Sequence, residues 1–386
     1  MVTHGGKNQM NNTKWFMQNG SLIRVPSKDA LELLLENEAA AMRKDEREFE
    51  ILLAISPLPI VAMPIIVDPV PGESLSSVMF KACKRMGLVG ISEFQNKLKI
   101  NDASILMPNQ IKKVAHSLGT SPRALALTTP ISIDRKSVFF YRHKLNLRHV
   151  TAHEGRICPS CIEQNGIGKA EWMLRAAIIC PIHFAPLVTE CQNCKASISS
   201  TRPEYGRCRC GVRYKTTGEP VSINSISLAA LIVEKFHGRS TALYADALGL
   251  PQVAIESMPL SGLLDLVCLL GMAHRDPAKF QLRRLEWPVD IKSGINKFSL
   301  ASDALKNWPS GLFPRLRSVR MYQPWEESSE QVTKTLDHIL RTATHHMQED
   351  GGRFLLGGIA EFTQRPHEWN AHRRRAADEV NNCLGS

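Results

Sequence analysis

A chain of 386 residues, 43% hydrophobic and 22% charged, has the length for two or three domains and too mixed a composition for disorder. Its formal net charge of +11 favours polyanionic partners, nucleic acid or an anionic membrane face. The N-terminal stretch has no apolar signal region, so the ten cysteines are expected to be thiols or metal ligands in a reducing cytoplasm, nucleoid-associated when acting on DNA.

In chain order, residues 1–66 form an N-terminal extension. Ser27 caps an expected helix over 29–53 whose acids outnumber its bases, which suits a solvated face or a protein-docking helix better than a DNA contact. The apolar run 51–67 is interrupted by Pro57, Pro59 and Pro64, so it is expected as a buried extended connector and not a membrane helix.

Residues 67–133 are expected as a helix-turn-helix domain. After the turn Pro71-Gly72-Glu73-Ser74, the residues Leu75, Val78, Met79, Ala82, Cys83 and Met86 recur at helical spacing and share a face. Farther on, residues 110–118 turn Ile111, Val114, Ala115 and Leu118 inward. Gly119 is the left-handed stop and Ser121-Pro122 opens the next helix. Lys112, Lys113 and Arg123 are candidate nucleic-acid or partner contacts, and Arg123 is the one strong reader on that second helix.

Residues 134–220 hold four ligand pairs: Cys158-Pro-Ser-Cys161, Cys180-Pro-Ile-His183, Cys191-Gln-Asn-Cys194 and Cys208-Arg-Cys210. Paired thiolates with turn-forming neighbours build metal knuckles, and two knuckles complete a tetrahedron, so two structural Zn²⁺ ions are expected. Sequential ligation gives Cys158, Cys161, Cys180 and His183 one ion and Cys191, Cys194, Cys208 and Cys210 the other. A cross-brace is the alternative. Four protein ligands per ion leave no open position, and the neighbourhood lacks His-Glu-x-x-His, deaminase, P-loop and Gly-x-Ser-x-Gly patterns, so no catalytic residue is expected and the protein is read as a non-enzyme. Of the remaining cysteines, Cys83 and Cys268 suit apolar faces, and Cys383 lies in the tail. Fourteen bases stand against six acids from Asp134 to Lys215, interleaved with Tyr141, Tyr205, Tyr214, His143, His149 and His153. That composition fits backbone contacts to DNA, with Arg142, Lys144, Arg148, Arg207, Arg209 and Arg213 as candidates. A basic face for a protein or RNA is the competing reading.

Residues 221–386 are expected as a C-terminal helical domain, with helices near 226–236, 261–272, 301–306, 331–347 and 369–380. The basic run His372-Arg-Arg-Arg375 is expected as a solvated face. The fold class is therefore mainly α, with an N-terminal helix-turn-helix, a central tandem zinc-ribbon or zinc-finger module and C-terminal helices.

Three motifs together resemble the TniQ/TnsD family of transposition target-site selectors. They are Pro71-Gly72-Glu73-Ser74-Leu75-Ser76-Ser77 before an amphipathic helix; Arg156-Ile-Cys158-Pro-Ser-Cys161, Trp172 and Cys180-Pro-Ile-His183-Phe-Ala-Pro-Leu187; and the second cysteine set with Gly211. Asn307-Trp308-Pro309 is a weaker echo, and residues 1–65 have no counterpart. The resemblance implies a non-catalytic adaptor in transposition of mobile DNA. Such an adaptor links target DNA or an RNA-guided CRISPR effector complex to an AAA+ ATPase regulator and the transposase, and in some members is a homodimer. A stand-alone helix-turn-helix/zinc-finger transcription regulator is the alternative, and a zinc-dependent nucleic-acid enzyme a third class.

Overall fold

The computed structural model describes residues 66–100, 105–151, 155–198, 204–216, 221–271 and 291–312, positions 47, 287 and 354, and the backbone of 15–18 and 21–24. The expected helices at 331–347 and 369–380, the basic run at 372–375, Cys383 and His153 lie outside these residues. So does the helix expected over 29–53, apart from Arg47, which is helical and exposed. An antiparallel hairpin pairs β1 (Trp15–Gln18) with β2 (Ser21–Arg24).

Four helices build the N-terminal unit. Ser74 caps α1 (Leu75–Met86), accepting from the Ser77 N–H, and Gly87 ends it at φ 67. Leu75, Val78, Met79, Ala82 and Cys83 are buried and Met86 is half-buried, so the spacing marked the packed face. The short α2 (Ile91–Leu98), which the sequence pattern did not announce, adds Ile91, Phe94 and Leu98 to the same core. The third helix, α3 (Pro108–Ser117), starts two residues before its expected position because the Gln110 side chain accepts from the Met107 N–H and satisfies that end. Its inward residues Ile111, Val114, Ala115 and Leu118 are each 0% exposed. Gly119 takes φ 63, and Ser121 accepts from the Ala124 N–H at 3.0 Å to open α4 (Pro122–Ala126), a single turn. Of the apolar connector only its end is described: Ile66 is exposed, while Val67 is buried and donates to the Leu118 carbonyl at 3.0 Å.

A three-stranded antiparallel sheet follows, ordered β3 (Ile131–Ser132), β4 (Ser137–Phe140) and β5 (His143–Asn146). Asp134 makes its first turn, accepting from the N–H groups of Lys136 at 2.6 Å and Ser137 at 2.8 Å. Those bonds hold its carboxyl below the usual carboxylate range, the Lys136 bond foremost. The fold is thus largely helical with small sheets, and this three-stranded sheet is an element the sequence reading did not name.

Beyond the cysteines, α6 (Ile223–Phe236), α7 (Ala242–Ala247), α8 (Gln252–Ser257), α9 (Leu260–Gly271) and α10 (Ile291–Leu305) pack together. The helix expected at 301–306 is the last part of α10, which begins at Ile291. Every residue of α9 is buried, including Asp265, as in a helix surrounded by protein on all sides. Asp265 accepts from Arg148 at 2.6 Å, and His149 Nε2 lies 3.0 Å from the same oxygen. Phe236 meets Phe140 and Tyr141 with ring centroids 4.9 and 4.8 Å apart. One core therefore runs from the three-stranded sheet through the cysteine block into the C-terminal helices, while the N-terminal helices keep their own. Among the described residues, no helix is long and apolar enough to cross a membrane.

Candidate metal centres

Cys158 and Cys161 are brought into position by a short ladder and a helix start. Ile157 pairs with Val188 through two backbone bonds of 3.0 and 2.7 Å, and Cys158 then caps the helix α5 (Pro159–Asn165) with Pro159 at its first position. Cys161 falls in the first helical turn, so this pair is a helix start and not the turn-only knuckle expected. Cys180 ends β6 (Ile179–Cys180), which pairs with β7 (Ala185–Pro186), and the tight connection between them carries His183. The His183 Nδ1 atom lies 3.4, 3.2 and 3.6 Å from the sulfurs of Cys158, Cys161 and Cys180, and Cys161 Sγ is 3.6 Å from Cys180 Sγ.

The second group gathers Cys191, Cys194, Cys208 and Cys210. Cys191 Sγ is 3.6 Å from Cys210 Sγ, and Cys194 Sγ is 3.4 Å from Cys208 Sγ. In each group all four donor atoms lie within 4.8 Å of one another. A tetrahedral ion with Zn–S of about 2.3 Å separates its sulfurs by about 3.8 Å, close to these spacings, whereas a disulfide needs about 2.05 Å. The donors therefore assemble as the sequential pairs, S₃N and S₄, and can hold metal ions; such sets suit zinc.

Hydrogen bonds at the sulfurs agree with that use. The Val212 N–H points at Cys210 and holds its thiol down at about 6, and the Cys210 N–H lowers the Cys208 thiol. Within the first group, bonds from Cys158 and then Cys161 push Cys180 far below the usual thiol range, while Cys161 is pushed up, Cys158 being the main cause. Crowded thiols oppose one another's ionisation, and a bound cation would favour the thiolate form of each.

The Pro71-to-Ser77 motif is a docking element against this block. Glu73 is 0% exposed. Its carboxylate accepts from Ser77 Oγ at 2.6 Å, Lys81 Nζ at 2.6 Å and the Val70 N–H at 3.0 Å. The Ser74 N–H donates to the Gly168 carbonyl at 2.8 Å, and the Ala170 N–H donates to Gly72 O at 2.9 Å. Tyr205 closes the joint. Its ring meets Phe80 edge-on at 5.2 Å, its hydroxyl lies 3.4 Å from Ser74 Oγ, and a Cβ on Gly168 would stand 1.7 Å from that hydroxyl. Gly72, at φ 77, lies against His237, which contacts Glu171 Oε2 at 3.2 Å. A cleft of about 220 Å³ lies here among Gly72, Trp172, Ile182, Glu234 and Tyr244.

Several residues that count toward the basic and aromatic composition of this block are engaged inside the fold. Arg156 is buried and donates to the carbonyls of Arg175 at 2.8 Å and Ala177 at 3.3 Å. His149 and Tyr214 are buried, Tyr141 packs on Phe236, and His143 Nε2 bonds the Phe236 carbonyl at 3.0 Å. Burial pushes His143 down to about 4, with the Lys235 and Arg142 charges adding to it. Among the candidate contacts, Lys112 is buried, Lys113 half-buried, Arg148 paired to Asp265 and Arg207 paired to Glu204 at 2.8 Å. Arg123, Arg142, Lys144, Arg209 and Arg213 are exposed. Cys83 and Cys268 sit in the apolar cores.

Residues 64–187 match the TniQ family model. The match spans the N-terminal helices and the first metal group and ends before Cys191. No curated protein matches the chain.

Proposed function

We propose that this chain, which belongs to the TniQ family, is a non-catalytic target-site selection adaptor in DNA transposition. It would link target DNA, or an RNA-guided CRISPR effector complex, to an AAA+ ATPase regulator and the transposase. The observation that carries the reading is the joint between the Glu73 motif and the first metal block, whose backbone bonds, Ser74 N–H to Gly168 O and Ala170 N–H to Gly72 O, fall inside the family match. Two structural Zn²⁺ ions, one held by Cys158, Cys161, Cys180 and His183 and one by Cys191, Cys194, Cys208 and Cys210, would supply this frame with no open coordination position for chemistry.

In this reading α3 and α4 are the helix-turn-helix pair of residues 67–133, the module 134–220 carries both ions, and 221–386 is the C-terminal helical part, whose described helices share the module's core. The short α4, with Arg123 as its one strong reader, speaks against a stand-alone regulator that identifies bases through that helix. The test is reconstitution with the AAA+ ATPase encoded beside the gene. A nucleotide-dependent complex is expected, together with DNA affinity that falls steeply with salt. Failure to bind that ATPase, with a tight footprint on the gene's own promoter, would turn the conclusion to transcription regulation.

A further inference from the structure

The two metal groups differ in their protection. Cys158 and Cys161 are 0% exposed and Cys180 is 1% exposed, inside a core that includes Ile157, Trp172 and Leu187. In the second group Cys191 and Cys208 are buried, but Cys194 and Cys210 are exposed. Each exposed cysteine has its sulfur beside that of a buried one, in pairs that are only partly buried: Cys194 Sγ lies 3.4 Å from Cys208 Sγ, and Cys210 Sγ lies 3.6 Å from Cys191 Sγ. An accessible sulfur next to a second sulfur is the arrangement in which oxidation ends in a disulfide.

We infer that the second group is an oxidant-labile metal centre, entered by peroxide-class oxidants at Cys194, the exposed cysteine of the closer sulfur pair, while the first group holds its ion. The inference rests on the zinc reading of both groups. The Cys194 thiolate attacks one peroxide oxygen, the O–O bond breaks, hydroxide leaves and Cys194 becomes a sulfenic acid. The Cys208 thiolate then attacks the Cys194 sulfur, the S–O bond breaks, a second hydroxide leaves and an S–S bond forms. Two electrons pass from the sulfurs to the peroxide, and two solvent protons complete two waters. Cys191 and Cys210 remain, two donors where four held the ion.

The consequence reaches the N-terminal helices. Tyr205 lies in the segment between Cys194 and Cys208, and it is the residue that packs on Phe80 and covers Gly168. Loss of the second ion therefore loosens the clamp over Ser74 and Ser76, while the backbone bonds of Gly72 and Ser74 to the first block stay in place.

The experiment uses the full chain, purified under reductant with zinc. Metal is counted first, then hydrogen peroxide is titrated in with a colorimetric zinc chelator, and cysteines are mapped by alkylation and mass spectrometry. The expected result is one zinc released about tenfold or more faster than the other, with a Cys194–Cys208 disulfide and Cys158, Cys161 and Cys180 still reduced. Reductant plus zinc should restore the starting count. Two ions leaving together, or oxidation of the first group before the second, overturns the inference while leaving the zinc reading intact. A chain with no zinc in the second group before peroxide overturns both.

Discussion

Glu73 offers the sharpest test of how the N-terminal unit is held. The carboxylate is wholly buried and has three donors, but these differ in what becomes of them when it is removed. Lys81 is 31% exposed on its side chain and Val70 is 47% exposed, so both regain water. The Ser77 hydroxyl, on a residue 2% exposed, does not. Glu73→Ala therefore loses charge-assisted bonds and strands one hydroxyl, a cost of about 2–4 kcal/mol. Lys81→Met does the opposite, leaving an uncompensated charge at full burial, and should cost more, about 3–5 kcal/mol. The double variant should cost less than the sum, with a coupling of at least about 1.5 kcal/mol. Urea unfolding of the zinc-loaded chain by circular dichroism, with hydrogen exchange across α1, measures each value. Additive costs, or a Lys81→Met variant milder than Glu73→Ala, would refute the reasoning.

Gly168→Ala should destabilise by about 1–3 kcal/mol by driving the Tyr205 ring off Phe80; the same change in a Tyr205→Ala background should cost much less, as read in matched thermal melts. Cys158→Ser should unfold the central block instead of merely weakening binding, since a structural zinc site contributes about 10–16 kcal/mol of apparent binding energy. A soluble variant retaining both metals by mass spectrometry would contradict this. His143 is held neutral, so the unfolded chain takes up a proton the fold refuses as pH falls from about 6.5 to 4, and stability is lost over that window. His143→Gln, which keeps a donor for the Phe236 carbonyl, should flatten that part of the stability curve by about 2 kcal/mol relative to the parent.

Where a local pattern carried its own physics, the sequence was enough. Helical spacing marked the buried face of α1, Gly119 and Ser121-Pro122 marked a stop and a start, and paired cysteines marked both metal groups. The misses have different causes. The β3–β5 sheet had a usable signal in Asp134 and the β-branched and aromatic run Val138 to Phe140, but the cysteine block beside it carries the stronger pattern. Short α2 has too few residues for a firm period. Nothing near Arg156 reveals that it turns inward to carbonyls about twenty positions on, nor near Arg148 that Asp265 lies 117 residues away. Composition counted those guanidinium groups as surface charge, and packing took them inside.

That correction decides where a phosphate backbone would be met. Fourteen bases against six acids over Asp134 to Lys215 is the gross surplus, but Arg148 and Arg156 are engaged inside, and Arg175 donates to the Val150 carbonyl at 2.9 Å. Ligated thiolates subtract further: a divalent ion with four of them keeps two negative charges, and with three and a neutral imidazole keeps one. Arg209 and Arg213 stand beside the S₄ group and are offset by it. Arg142 and Lys144 are exposed on the β4–β5 hairpin, outside the segments that carry the ligands. If DNA is bound through this face, Arg142→Ala with Lys144→Ala should flatten the plot of log affinity against log salt by about 1.8, near 0.9 for each phosphate no longer neutralised. Arg209→Ala with Arg213→Ala should flatten it less. The reverse order in a salt-titrated fluorescence anisotropy assay would place the DNA on the metal knuckle, and equal flattening would show both pairs meeting phosphates and refute the offset.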